Sequence, residues 1–154
     1  MFVTHLECSA TGERHDAGRL HNLSRAGKPL LVRYDLAAAG SHLTREALAA
    51  RPGGMWKWRE LLPHPSGVEP VSLGEPDRPM VPLMCSGGPN LLVKNEGRLP
   101  TGSFKARGLA MAVTMARHFG VTRIAMPTNG NAGAALAAYG ARAGIRTLVV
   151  CPAE

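Results

Sequence analysis

The feature that most limits what this chain can fold into is a regular alternation beginning at Leu91. A short apolar run from Leu91 to Asn95 is followed by a helical pattern from Ser103 to Phe119, which Gly120 closes. A run from Arg123 to Met126, a helical pattern from Asn131 to Ala143 closed by Gly144, and a last run from Arg146 to Val150 complete it. In the first helical pattern Ala106, Leu109, Ala110, Val113 and Ala116 recur at three- and four-residue steps and make one apolar stripe, with Lys105 just beside it. This β-α-β-α-β order implies parallel strands joined by right-handed crossovers, in a doubly wound α/β sheet.

The preceding residues are less regular, and the chain divides into segments 1–35, 36–90 and 91–154. In the first, polar and glycine-containing stretches lead to a short strand, Leu30 to Tyr34. In the second, a helix is expected over Ser41 to Ala50, with Ser41 or Thr44 as its cap and Pro52-Gly53-Gly54 as its stop. A shorter helix over Met55 to Leu62 would end at Pro63, its tryptophans anchoring this arm. Pro63 to Pro89, rich in proline and glycine, reads as an irregular wrap.

Composition narrows the function. At 154 residues, 45% apolar and 19% charged, the chain can bury one core. It lacks the roughly 18 consecutive apolar residues of a membrane span, and its start has no basic-then-apolar secretory pattern, so a cytoplasmic protein with no membrane partner is expected. Cys8, Cys85 and Cys151 are odd in number and far apart, which suits reduced thiols. The net charge is +7, and from Gly97 onward seven Lys or Arg residues face only Glu154. Those cations are scattered, with only Phe104, Phe119 and Tyr139 available for stacking, so an anionic small molecule is the expected partner and nucleic acid is not.

Two loops carry the chemistry, each between a strand and the next helix, where open α/β sheets bind ligands. In Pro100-Thr101-Gly102-Ser103-Phe104-Lys105-Ala106-Arg107-Gly108, Lys105 falls on the opening turn of a helix, where the macrodipole disfavours an ammonium. Desolvated between Phe104 and an alanine-rich face, its amine would be a nucleophile suited to a Schiff base with a carbonyl compound. In Thr128-Asn129-Gly130-Asn131-Ala132-Gly133 the glycines and the following helix start suit a carboxylate, although small residues there also suit close packing.

Val93-Lys94-Asn95-Glu96-Gly97, the Pro100 to Gly108 stretch, and Pro127 to Tyr139 together resemble the threonine synthase group of fold-type II pyridoxal-phosphate enzymes. The resemblance implies that Lys105 holds pyridoxal phosphate as a Schiff base, that Asn131 bonds the pyridoxal 3'-oxygen, and that Phe104 lies beside the cofactor. It implies that Thr128, Asn129 and Gly130 take the substrate carboxylate, with Lys94 and Arg107 as charge partners of a phosphohomoserine-like substrate. The implied reaction converts O-phosphohomoserine to threonine and phosphate, Lys105 shuttling protons. A threonine or serine dehydratase-like lyase is the enzyme alternative, and a truncated, inactive relative is the other.

The resemblance covers only the N-terminal part of such enzymes, whose phosphate-gripping loop and pyridine-nitrogen partner would lie past Glu154 and whose members are commonly homodimers. Leu73-Gly74-Glu75-Pro76-Asp77-Arg78-Pro79-Met80 stands where the family usually has Leu-Gly-Glu-Gly-x-Thr-Pro-Leu. The N-terminal segment resembles the group's zinc ribbon in degenerate form. Cys8 stands at the first ligand position, but Thr11, Ser24 and Ala26 stand at the others, so no metal is expected.

Overall fold

The structure, a computed structural model, describes residues 1–77, 80–83 and 91–153. It separates into two compact units, Met1–Pro52 with Trp56–Val68 and Gly53–Met55 with Glu69–Glu154. Cys85, Arg78-Pro79, the 84–90 part of the wrap and Glu154 lie outside the described residues.

The first unit is built on a small antiparallel sheet, β1 (Val3–Cys8), β2 (Arg14–His15) and β3 (Leu30–Tyr34), in the order β2-β1-β3. β3 falls where the Leu-Leu-Val-Arg-Tyr run places it, and it holds β1 in register with Leu6 opposite Val32 and Cys8 opposite Leu30. Two glycine turns close on Cys8 and on Ser24: Gly12 N–H donates to Cys8 O at 3.0 Å, and Gly27 N–H to Ser24 O at 2.9 Å. The buried Cys8 thiol donates to Ser24 Oγ at 3.0 Å. Hydrogen bonds from the Ser24 hydroxyl, then the Thr11 hydroxyl, then the Ala10 backbone, bring that thiol down to about 7. Three of the four expected ribbon positions thus carry a hydroxyl or methyl group, two of them hydrogen-bonded to the Cys8 sulfur. Among the described residues no group of three or more His, Cys, Asp or Glu side chains could hold a metal ion.

The single helix expected over Ser41 to Ala50 is instead two, α1 (Leu36–His42) and α2 (Arg45–Ala49). Asp35 caps α1 by accepting from Ala38 N–H at 2.9 Å, and Thr44 caps α2 by accepting from Ala47 N–H at 3.1 Å. Leu43 and Thr44 are extended, so Thr44 opens a new helix rather than continuing the old one. Ser41 sits inside α1, donating to Ala38 O at 2.9 Å. Met55–Leu61 is 3-10 rather than α-helical and breaks at Trp58. Arg51 grips Glu60 with both arms of its guanidinium, at 2.7 and 2.8 Å.

In the second unit, β4 (Met80–Leu83) and β5 (Leu91–Lys94) form an antiparallel pair with Met80 opposite Lys94 and Leu83 opposite Leu91. The wrap therefore contains a strand that its proline hid, and β5, expected among parallel strands, has β4 as its partner among the described residues. β6 (Arg123–Pro127) and β7 (Arg146–Val150) pair in parallel, Arg123 opposite Arg146 through Pro127 opposite Val150. α3 (Lys105–His118) precedes β6 and α4 (Asn131–Ala143) connects β6 to β7; the two helices pack on each other, while α4 lies on β7. Ala106, Ala110, Val113, Ala135, Leu136 and Tyr139 are buried between them. Gly144, at φ 70°, ends α4 as expected, and Ile145 N–H returns to Gly140 O at 2.9 Å. The fold is mixed α/β, with parallel and antiparallel sheets. No described helix is long and apolar enough to cross a membrane.

Candidate active site

Lys105 is the first residue of α3, half-buried, with its Nζ 4.6 Å from the centre of the Phe104 ring. Phe104 itself is 60% exposed, so it covers the lysine stem on one side rather than enclosing the amine. The loop that delivers Lys105 is fixed by its own backbone: Gly102 N–H donates to Leu99 O at 2.8 Å and Ala106 N–H to Ser103 O at 3.2 Å. Gly102 has φ 70°, a left-handed conformation that its neighbours could adopt only with strain.

The second loop follows β6. Thr128 Oγ1 accepts from Gly130 N–H and Gly133 N–H, each at 3.1 Å, and so caps α4 from outside the helix. Its own proton remains available to a ligand. Gly130 has φ 137°, and nothing lies within 4 Å of where a Cβ would stand, so this glycine leaves room above the helix start. Gly133 serves a different end: a Cβ there would lie 2.5 Å from Thr128 Cγ2 and 2.6 Å from Val149 Cγ1. It admits the close approach of α4 to the strands. Asn129 and Asn131 are exposed, and Asn129 and Gly130 line, with Cys151, Pro152 and Ala153, a cleft of about 290 Å³ at the carboxyl ends of β6 and β7.

What relates the two loops is a strap, residues 69–77, that sequence reasoning left without a role. On α3, Arg117 in the last turn bonds Glu69 O, and Thr114 Oγ1 accepts from Val71 N–H at 2.9 Å. Arg107 in the first turn feels the charges of Asp77 and Glu75. On α4, Arg142 donates to Ser72 O at 3.3 Å and Tyr139 to Glu75 at 2.5 Å. Along both helices the strap thus runs from the last turn toward the first, so both N-termini lie at one end of the pair. Lys105 and Asn131 begin those two helices.

Glu75 and Tyr139 are both buried. Burial raises the Tyr139 phenol, and the hydrogen bond and charge of Glu75 add to it. Burial also pushes Glu75 up, but bonds from Leu73 N–H, Ser72 and Tyr139 outweigh it and leave the carboxylate below its ordinary range. The signal that could have found this pair is a tyrosine on the apolar face of an alanine-rich helix, whose hydroxyl needs a partner.

Lys94 and Arg107 also converge, on Glu96. Arg107 holds both Glu96 oxygens, at 2.7 and 2.9 Å, and Lys94 Nζ stands 3.7 Å away. The Arg107 hydrogen bonds hold Glu96 below the usual carboxylate range.

Residues 71–154, more than half of the chain, match the family described as pyridoxal-phosphate dependent enzyme. The chain belongs to that family. Among pyridoxal-phosphate dependent enzymes it is similar to the threonine synthase of Methanocaldococcus jannaschii, 35% identical over an alignment of 151 residues that covers 94% of this chain and 37% of that protein. The threonine synthase of Methanosarcina acetivorans is 36% identical over 97% of this chain and 37% of its own length. That of Halalkalibacterium halodurans is 44% identical over 65% of this chain and 29% of its own length. The chain thus spans between 29% and 37% of the length of these curated relatives.

Proposed function

We propose that the protein carrying this sequence is a threonine synthase-like lyase that uses pyridoxal phosphate to convert O-phosphohomoserine to threonine and phosphate. The observation that carries the reading is the packing of α3 on α4 beneath a strap that hydrogen-bonds to both, from which the Lys105 loop and the Asn129–Asn131 loop are read as facing one pocket. The two threonine synthases matched over 94% and 97% of this chain support the choice of substrate.

The residues present fit the cofactor. Lys105 makes no ion pair among the described residues, so its amine is available to hold an aldehyde. Gly130 leaves open space beside Asn131, whose amide suits a ring oxygen. Pyridoxal phosphate, when bound, supplies an electron sink for the carbon beside the substrate amine. Lys105 then carries protons between substrate carbons. Thr128 and Asn129 orient the substrate carboxylate, for which Gly130 leaves space, and Phe104 would lie beside the cofactor. Lys94 and Arg107 receive the substrate's anionic phosphate by sharing the charge that Glu96 now neutralises. Residues 91–154 are read as the start of a doubly wound sheet, of which the β6–β7 pair with α4 upon it is one piece. The turns around Cys8 are read as a degenerate ribbon.

The test is product analysis with borohydride trapping. The reading expects threonine and phosphate from O-phosphohomoserine, and pyridoxal phosphate fixed to the peptide bearing Lys105. Ammonia and a keto acid from threonine would replace it with a dehydratase, and label retained by Lys105→Ala at one site would overturn the assignment of the lysine.

A further inference from the structure

Two hydroxyls in the Lys105 loop have no partner among the described residues. Ser103 is buried, 7% exposed, and its Oγ makes no hydrogen bond; Thr101 Oγ1 is likewise buried and unbonded. Buried hydroxyls in native folds nearly always find a partner, so two orphans two positions apart ask for a cause. Looseness is not the cause. The loop is pinned at Gly102, Ala106 and Arg107 by backbone bonds of 2.8, 3.2 and 3.1 Å. Leu99 is buried beneath it, and the Arg107–Glu96 fork ties its two ends together.

The position of Ser103 sharpens the question. It precedes the first turn of α3, where a serine oxygen ordinarily accepts from helix N–H groups, yet α3 has no side-chain cap. Its hydroxyl therefore stands at the mouth of a 14-residue helix without serving it. The first turn of α3 holds no acidic residue, and beyond Thr101 and Ser103 themselves no described atom lies within 4 Å of where a Gly102 Cβ would be. Two unspent O–H donors, a positive helix end and a lysine two residues on make a setting for an oxyanion.

We propose that Thr101 and Ser103 form an oxyanion subsite beside Lys105, which takes a phosphate or carboxylate group of the ligand that the lysine holds. The proposal rests on the lysine-centred reading above. In the absence of ligand the hydroxyls are a liability to the fold, and the bound anion satisfies them.

The test titrates inorganic phosphate into the protein, followed by phosphorus NMR, for the natural sequence and for Ser103→Ala, Thr101→Val and Ser103→Thr. Ser103→Ala and Thr101→Val should each weaken phosphate binding roughly tenfold, the worth of one hydrogen bond to a charged group. They should melt at the same temperature or higher, because an orphan hydroxyl has been removed, and Ser103→Thr should restore binding. Unchanged phosphate binding, or a lowered melting temperature in both variants, overturns the proposal. Borohydride trapping with pyridoxal and with pyridoxal phosphate separates the sources. A Ser103→Ala loss confined to the phosphorylated form assigns the subsite to the cofactor, and equal trapping of both with weakened phosphate binding assigns it to the substrate. Label at Lys105 with unaltered phosphate binding removes the subsite and leaves the enzyme reading. Hydroxyl-dependent phosphate binding with no label at Lys105 does the reverse.

Discussion

Tyr139 donates a 2.5 Å hydrogen bond to Glu75, a residue 64 positions earlier, and neither side chain reaches solvent. The bond joins an irregular strap to the middle of α4 and fixes where that helix begins, hence where Asn131 stands.

Removing one side of this pair should be less harmful than removing the other. Tyr139→Phe leaves Glu75 with the Ser72 hydroxyl and Leu73 N–H as donors and should cost about 1–2 kcal/mol. Glu75→Leu strands all three donors and should cost about 3 kcal/mol or more. Amide exchange along α4 under mild urea would measure both, and equal effects would contradict the bonding pattern. Because the folded Glu75 lies below its ordinary 4.5, its contribution is complete above that pH and fades as pH falls through the lowered folded value. Protection of α4 should therefore decline in acid, and less so in Glu75→Gln.

The first unit has its own acid response. The Arg51 hydrogen bonds bring Glu60 from 4.5 down to about 2, outweighing its burial. The stability it adds is present above about 4.5 and is lost as pH falls toward 2. Both tryptophans, Trp56 and Trp58, lie in this unit, so tryptophan fluorescence reads it separately from the α3–α4 pair. Arg51→Met should shift the acid transition to higher pH and cost about 1–2 kcal/mol at neutrality, the half-buried pair being worth more than an exposed one. A transition that does not move would remove the pair from the cause.

Local pattern revealed those parts of the fold whose stabilising contacts are close in sequence. Leu30–Tyr34, Asn131–Ala143 and Arg146–Val150 occupy the expected residues, because β-branched and leucine runs and a left-handed Gly144 act within a few positions. Elements set by distant contacts were hidden. β1 mixes Thr4, His5 and Glu7 with its apolar residues and exists through pairing with β3, while β4 contains Pro82. The break between α1 and α2 turns on the Thr44 hydroxyl, a choice between capping and continuing that periodicity does not register. The motifs pointed to Lys105 and Asn131, and each begins a helix. Glu75 and Tyr139, which align the helices carrying them, share no local period, and Glu96 read as part of a motif rather than as the anchor of two cations.

The thiol of Cys8 should answer to Ser24. Ser24→Ala removes the largest of the bonds that lower it, so its titration should rise from about 7 toward the ordinary 9.0. Ultraviolet thiolate absorbance in a Cys85→Ser, Cys151→Ser background would follow it. A lowered folded value means that stability grows as pH rises from about 7 to about 9, and Ser24→Ala should flatten that rise. An unchanged titration would show that the hydroxyl does not set the thiol.

Glycines in the two helices should respond in opposite directions to the same substitution. Gly133 faces Thr128 and Val149 side chains at 2.5 and 2.6 Å from a built Cβ, whereas nothing lies within 4 Å of one at Gly108 in α3. Gly133→Ala must push α4 away from Thr128 and β7, at about 1–3 kcal/mol, since packed interiors resist even one added carbon. It also displaces the start of α4, so amide shifts should move at Asn129 and Gly130. Gly108→Ala has space and gains helix propensity, and should stabilise by about 0.5–1 kcal/mol without moving those amides. Urea denaturation with NMR mapping decides it. Were Gly133→Ala neutral, close approach would not be what that glycine provides, and a ligand-facing role in the loop would take its place.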